Sequence, residues 1–189
     1  MKFAVQNKIT TPDTPLSLSA ITFVKTIRKN NGKKHKKMNT ETLDTFTVIG
    51  IEVRTTNENG QAATDIGQLW NKFMTEGIMD QIPNKIDSSI YSIYTDYESD
   101  HTKPYTTILG CKVKNTDTIP EGMVAKIFEK QNYTKFISKG DLTQGVVYQE
   151  WVKIWNADLD RTYTADFEVY GEKAQNPKDA EVEIFVGIK

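Results

Sequence analysis

Residues 46–73, FTVIGIEVRTTNENGQAATDIGQLWNKF, contain a change in hydrophobic period that decides the fold class. The first ten residues are rich in β-branched side chains and predict a strand over residues 46–55. After the turn-forming NENGQ, apolar residues recur at helical spacing and predict a helix over residues 63–78. That apolar face consists of Ile66, Leu69, Trp70 and Phe73.

The same order of elements occurs twice along the chain. Two strands, SIYSIYTDY and YTTILGCKV, complete the first unit. The second unit begins with MVAKIFEK and YTKFISKG, which are either two strands or one strand that runs through QN. It continues with a helix, VVYQEWVKIWNAD, and two strands, YTADFEVYG and VEIFVGIK. The duplicated β-α-β-β unit predicts an α+β fold, with one antiparallel sheet, two helices on one face and a ligand groove at the pseudo-twofold axis.

The charge is unevenly distributed along the 189 residues. Residues 1–37 contain nine Lys or Arg and one Asp, a net charge of +8, whereas the remainder has a net charge of −9. We assign residues 1–42 to a basic flexible tail, with Met38 as an alternative start, and residues 43–189 to the folded domain. Because no aromatic or amphipathic pattern accompanies the basic run, a nucleic-acid-binding or lipid-binding arm is disfavoured.

The sequence predicts a cytoplasmic protein without a membrane segment. The longest apolar stretch near the start, PLSLSAITFV, is much shorter than the roughly 20 residues that span a bilayer. The basic residues follow this stretch, whereas in a signal peptide they precede it. The single cysteine, Cys111, excludes an internal disulfide and suits a reducing compartment.

Metal, cofactor and nucleophile motifs are not found. The two histidines, His35 and His101, cannot build a zinc site with one cysteine. The sequence contains no phosphate-binding loop and no Gly-x-Ser-x-Gly nucleophile elbow. We therefore expect no metal, no cofactor and no committed catalytic residue.

Glu168, in the stretch ADFEVYGE, is the candidate carboxylate for a binding site. Strand alternation places it on one face with Asp166 and Tyr170. Asp166 favours a solvated face, whereas Tyr170 favours a pocket, so the pattern leaves both interpretations open. A cation in such a pocket would gain roughly 0.5–2 kcal/mol from each good aromatic contact.

Four stretches carry a resemblance to a known family: FTVIGIEVRTTN, YTKFISKGDL, ADFEVYGE and EVEIFVGIK. Over residues 43–189 the chain resembles the GyrI-like small-molecule-binding domains, the effector-binding domains of AraC-type and multidrug-responsive transcription activators. The resemblance implies the duplicated fold and a groove for amphipathic, often cationic ligands. The ligand-binding residues that it implies are Glu168, Tyr170, Trp155, Tyr91, Phe136, Trp151 and Tyr94.

Residues 1–37 contain no helix-turn-helix pattern, so the chain resembles a stand-alone form without direct DNA binding. We expect it to sense or sequester amphipathic cationic or aromatic compounds. One alternative is a hydrolase of reactive small molecules that uses Glu168 as general base, although no second catalytic residue accompanies it. Another is an acidic protein-interaction module like the gyrase-inhibiting relatives, which would add a protein partner. The sequence leaves the oligomeric state open.

Overall fold

The computed structural model describes residues 39–189, and the expectations for the preceding basic segment lie outside this part. Every predicted strand and helix is present, and YTTILGCKV is β4 from end to end. The elements are β1 Thr40–Leu43, β2 Phe46–Thr55, α1 Gln61–Thr75, α2 Ile78–Gln81, β3 Ile90–Thr95, β4 Tyr105–Val113, β5 Val124–Phe128, β6 Gln131–Gly140, α3 Val146–Trp155, β7 Arg161–Tyr170 and β8 Ala180–Ile188.

Two elements, β1 and α2, were not predicted from the sequence. β1 begins at Thr40, before the domain start expected at residue 43, because TETL is short and carries no apolar alternation. α2 is a single turn that follows Gly77, whose left-handed backbone (φ 61°) separates it from α1. None of the helices within residues 39–189 combines the length and apolar character that a bilayer crossing requires.

The eight strands form one antiparallel sheet in the order β1-β6-β8-β7-β3-β4-β2-β5. This order reads the same from both ends when each strand of one unit is exchanged for its counterpart in the other. β3 and β7 meet at the centre, and β1 and β5 lie at the two outer positions. The predicted duplication is therefore confirmed, with its pseudo-twofold axis between β3 and β7.

The outer strands are exchanged between the two units, and this exchange curls the sheet. β1 pairs with β6 and β5 pairs with β2, although β1 leads into β2 and β5 leads into β6. In a flat sheet β5 and β6 would lie about 29 Å apart, yet three residues of chain span at most about 11 Å. The two connections meet at an ion pair, in which Lys130 Nζ lies 2.8 Å from Asp44 Oδ1.

The two long helices, α1 and α3, pack on the same face of the sheet. From α1, Leu69 and Phe73 join a buried cluster with β2 and β4, and from α3, Trp151 and Ile154 pack on β8. The other face closes on itself, because the ring of Phe46 lies 5.5 Å from that of Phe167 in the central strand β7. The prediction of two helices on one face is confirmed.

Candidate functional site

A row of directly paired residues crosses the helix-covered face and centres on the pseudo-twofold axis. Ser92 of β3 pairs with Glu168 of β7 at the middle of the row. Directly paired residues point to the same side of a sheet, so the whole row faces the helices. Its members, in order, are Ile51, Leu109, Ser92, Glu168, Ile184 and Phe136.

Glu168 is buried and accepts three hydrogen bonds from aromatic side chains. Its Oε1 accepts from the Tyr94 hydroxyl at 2.7 Å and from the Trp151 indole Nε1 at 2.6 Å. Its Oε2 accepts from the Tyr170 hydroxyl at 2.7 Å. The residue is only 2% exposed. Within residues 39–189 no basic side chain forms an ion pair with it, so all its partners are neutral.

The electrostatics of this cluster follow from burial. Burial raises the pKa of Glu168, and the hydrogen bonds from Tyr170, Trp151 and Tyr94 offset part of that rise. Burial, followed by the Glu168 charge, raises the pKa of both tyrosines well above the ordinary value of 10.0. Both phenols therefore stay protonated at neutral pH and act as donors to the carboxylate.

We expect Glu168→Gln to stabilise the fold at pH 8, with a gain that shrinks as the pH falls. The folded-state pKa of Glu168 lies above its ordinary value of 4.5, so the ionised form destabilises the folded state above that pKa, and protonation removes this cost. Urea unfolding of both proteins between pH 4 and pH 8 measures the difference. Each kcal/mol corresponds to a rise in Tm of about 2–4 °C. A difference that does not depend on pH would contradict the assignment.

Aromatic rings from both helices surround the carboxylate. Trp70 of α1 packs edge-on against Tyr170, with ring centroids 4.9 Å apart. Trp151 of α3 packs edge-on against Tyr94 at 5.4 Å, and Tyr94 contacts Tyr105 at 6.0 Å. These rings present both faces and edges around one negative charge, an environment that suits an organic cation.

The structure brings four of the seven predicted site residues together: Glu168, Tyr170, Trp151 and Tyr94. Trp155 lies one helical turn beyond Trp151, and their ring centroids are 6.2 Å apart. Phe136 is on the same face but two strands from Glu168, where it packs beneath α3.

Tyr91 lies on the opposite face of the sheet, so the structure does not bring it together with Glu168. Its ring packs 6.3 Å from Phe167, and its hydroxyl points to Asp87. Tyr91 and Tyr94 are three residues apart on one strand, so they must face opposite sides. Only the register with β7 decides which of them meets the carboxylate.

Asp166 also departs from the sequence interpretation, which took it as evidence for a solvated face. Its side chain is fully buried, and Oδ2 accepts from Arg161 Nη2 at 2.6 Å and from the Tyr97 hydroxyl at 2.7 Å. Oδ1 accepts from the backbone N–H of Gly187 at 2.9 Å. The face is therefore buried at both carboxylates, Asp166 and Glu168. Sequence reasoning also missed Trp70 and Tyr105 as neighbours of the site.

An open cleft lies elsewhere, between α1 and the strands β2 and β5. It has a volume of 510 Å³ and is lined by Ile51, Glu52, Val53, Asp65, Gln68, Leu69, Lys72, Gly122, Met123 and Val124. At the pseudo-twofold axis, where the groove was predicted, the rings of Tyr94, Trp151 and Tyr170 cover Glu168 instead. The Glu168 cluster and this open cleft thus lie in different places. Within residues 39–189 no three His, Cys, Asp or Glu side chains are grouped as metal ligands.

Comparisons with known proteins agree with this architecture. Residues 40–188 match the model of a family described as Cass2, integron-associated effector binding protein. Putative transcriptional regulator protein YobU of Bacillus subtilis is 30% identical over 154 residues, which cover 78% of this chain and 94% of YobU.

Two solved structures have the same fold. Integron cassette protein VCH_CASS2 of Vibrio cholerae is 31% identical with a TM-score of 0.63, and the match covers 80% of this chain and 95% of that protein. SAV2435, solved bound to tetraphenylphosphonium, is 18% identical with a TM-score of 0.66, over 81% of this chain and 94% of that one. At that identity SAV2435 supports the fold alone. The match over residues 40–188, together with the YobU and cassette relatives, shows that this chain belongs to the family of integron-associated effector-binding proteins, which are GyrI-like.

Proposed function

We propose that this protein binds amphipathic organic cations and that Glu168 supplies the countercharge. The observation that carries the proposal is a buried carboxylate whose partners are all neutral donors. Burying a carboxylate without a cation costs several kcal/mol in a low-dielectric site. A cationic ligand would offset that cost, so the unfavourable burial of the Glu168 charge favours binding of a cation.

The surrounding rings define the kind of cation. Trp70, Trp151, Tyr94 and Tyr170 offer aromatic surface from both helices and both central strands. A cation whose charge is spread over an apolar body loses little hydration on entering such a site, whereas an inorganic ion would lose much. SAV2435, which shares the fold, was solved with tetraphenylphosphonium, a cation of this kind.

Entry of the ligand requires the covering rings to move. The Tyr94, Tyr170 and Trp70 side chains are half-buried, so part of each is exposed to solvent. Rotation of Tyr170 about its side-chain bonds would break one hydrogen bond to Glu168 and open one oxygen to a cation. We propose that the protein senses or sequesters its ligand in the cytoplasm by this opening.

Titration with tetraphenylphosphonium bromide, followed by tryptophan fluorescence, tests the proposal. Trp70 and Trp151 border the site, so we expect saturable quenching in the wild type. Glu168→Gln should weaken binding by about 30-fold or more, since a charged partner of a desolvated ion contributes about 2 kcal/mol or more. Triphenylphosphine oxide, a neutral analogue, should bind the wild type and Glu168→Gln equally.

Glu183→Gln is the matched control. Glu183 lies on β8, on the face opposite Glu168, where it pairs with Lys135. Its substitution removes the same charge but should change the affinity for tetraphenylphosphonium less than twofold, since the charge is half-exposed and screened. No saturable response in the wild type, or equal losses for both variants, would contradict the proposal.

A hydrolase that uses Glu168 as general base is the second candidate. The raised pKa of Glu168 suits proton abstraction. However, the indole and the two phenols already donate to both carboxylate oxygens, so water would have to displace one of them. Turnover of an activated ester by the wild type, with loss of turnover in Glu168→Gln, would favour the hydrolase over the binding protein.

A further inference from the structure

A second buried charge cluster lies beside Glu168 on the helix-covered face. Arg161 is 7% exposed and donates through Nη2 to Asp166 Oδ2 at 2.6 Å. Its Nε and Nη1 are also buried but have no acceptor among residues 39–189. Each unpartnered buried donor costs about 1–3 kcal/mol, more when it belongs to a charged group. One carboxylate therefore satisfies only part of this guanidinium.

The backbone that covers Arg161 is strained. Tyr163 has a left-handed backbone with φ 54°, which a bulky residue rarely adopts. Its ring lies 4.4 Å from Arg161 Cζ. The pairing of β7 with β8 shifts register between Arg161 and Asp166. Strained residues and bulges of this kind concentrate at binding sites, where they direct a side chain.

The Nδ1 atom of His101 is also buried and has no hydrogen-bond partner within the described part of the chain, residues 39–189. Its ring stacks between Trp155, at a centroid distance of 5.4 Å, and Tyr163, at 6.4 Å. Burial, followed by the Arg161 charge, lowers the pKa of His101, so the ring is neutral at pH 7. A neutral imidazole can donate one hydrogen bond to an anion.

Aromatic rings connect the two charge clusters. Trp151, which donates to Glu168, stacks on Trp155, and Trp155 stacks on His101 beside Tyr163 and Arg161. Asp166, the partner of Arg161, is two residues from Glu168 on one strand, about 7 Å along it. A lone carboxylate and an under-coordinated guanidinium thus lie within the length of one fused-ring molecule.

We propose that Arg161, assisted by His101, binds an anionic group of the ligand whose cationic ring system lies against Glu168. The ligand class is then an amphoteric aromatic compound, with a delocalised cation and a carboxylate or sulfonate on the same scaffold. This assignment rests on the proposed function, since Glu168 must receive the cationic part. Tyr163 and His101 must move aside for the anionic group to reach Arg161.

Rhodamine B and its ethyl ester distinguish this ligand class from simple cations. Both carry the same cationic xanthene, but only rhodamine B has a free carboxylate. Binding is measured by fluorescence anisotropy with the wild type and with Arg161→Gln/Asp166→Asn, a pair that retains a hydrogen bond and the net charge. Lys135→Gln/Glu183→Gln neutralises an ion pair on the opposite face and serves as the control.

We expect the wild type to prefer rhodamine B over its ester, and the Arg161→Gln/Asp166→Asn protein to lose that preference. Affinity for rhodamine B should fall about 10-fold or more, as for one lost hydrogen bond between charged groups, while affinity for the ester changes less than about twofold. His101→Phe, which retains the stack, should lower only the affinity for rhodamine B. A circular dichroism melt confirms that each variant is folded.

The inference is overturned if the ratio of the affinities for rhodamine B and its ester is unchanged in both Arg161→Gln/Asp166→Asn and His101→Phe. It is also overturned if the wild type prefers the ester. Glu168→Gln is measured with the same two dyes. If it loses both dyes while the wild type and the Arg161 and His101 variants bind both equally well, the proposed function stands and the anionic subsite does not. If the wild type binds neither dye, the inference fails, and the tetraphenylphosphonium titration still decides the proposed function separately.

Discussion

Asp166→Ala is expected to lower the free energy of unfolding by about 3–5 kcal/mol, the usual cost of removing one partner from a buried ion pair. Asp166 is fully buried and is the acceptor for Arg161, Tyr97 and the backbone of Gly187. Its removal leaves a buried guanidinium without a countercharge. Urea unfolding followed by circular dichroism measures the loss, which corresponds to a fall in Tm of roughly 6–20 °C.

Asp160→Ala is the matched control for this substitution. Asp160 pairs with Lys189 at the surface, 2.9 Å away, with both side chains more than half exposed. Its loss should change the free energy of unfolding by less than about 0.5 kcal/mol. In addition, Arg161→Met combined with Asp166→Leu should recover most of the lost stability, since it removes both buried charges. A destabilisation of Asp166→Ala no larger than that of the control would show that the cluster is open to water.

Gly50→Ala is expected to destabilise the fold by about 3 kcal/mol or more, because overpacking against an immobile backbone cannot be relieved by a side-chain rotation. Gly50 of β2 pairs with Gly110 of β4. A Cβ at Gly50 would overlap the carbonyl oxygen of Leu109, which belongs to the backbone of the sheet. The yield of folded protein and its urea midpoint measure the effect.

Gly67→Ala should have the opposite sign. Gly67 lies inside α1, and a Cβ there would meet no atom within 4 Å. Alanine favours the helix over glycine by about 1 kcal/mol, so the urea midpoint should rise. If Gly50→Ala and Gly67→Ala lower the urea midpoint equally, backbone flexibility explains why both positions are glycine, and the close approach of β4 to Gly50 does not.

The order of elements could be predicted from the sequence because each element has a clear local signal. Residues 46–55 are rich in β-branched side chains, and the face formed by Leu69, Trp70 and Phe73 has helical spacing. The exchange of β1 and β5 could not be predicted in this way. Strand pairing depends on contacts between distant residues, and the local pattern of MVAKIFEK is the same whichever neighbour it pairs with.

The sequence predicted a carboxylate among aromatic side chains, but it did not predict which aromatic side chains contact that carboxylate. Alternation correctly grouped Glu168 with Tyr170 and Asp166 on one face, but it could not show whether that face was buried. Asp166 is buried in an ion pair with Arg161, a contact that strand alternation does not show. Tyr91 and Tyr94 were both predicted for the site although they belong to opposite faces, because the register of β3 against β7 cannot be obtained from the local sequence.

The outer strands β1 and β5 make each half of the chain incomplete without the other. A half-length chain ending after β4 would have an unpaired β1 and an open edge on β2, because β6 and β5 normally fill these positions. Two copies of that half could satisfy both needs reciprocally, with β1 of each copy pairing with β2 of the other. Such a half should therefore assemble as a twofold homodimer whose stability depends on its concentration. The full chain is the tethered form of that dimer, in which dilution cannot separate the halves and the two sides of the Glu168 site can differ.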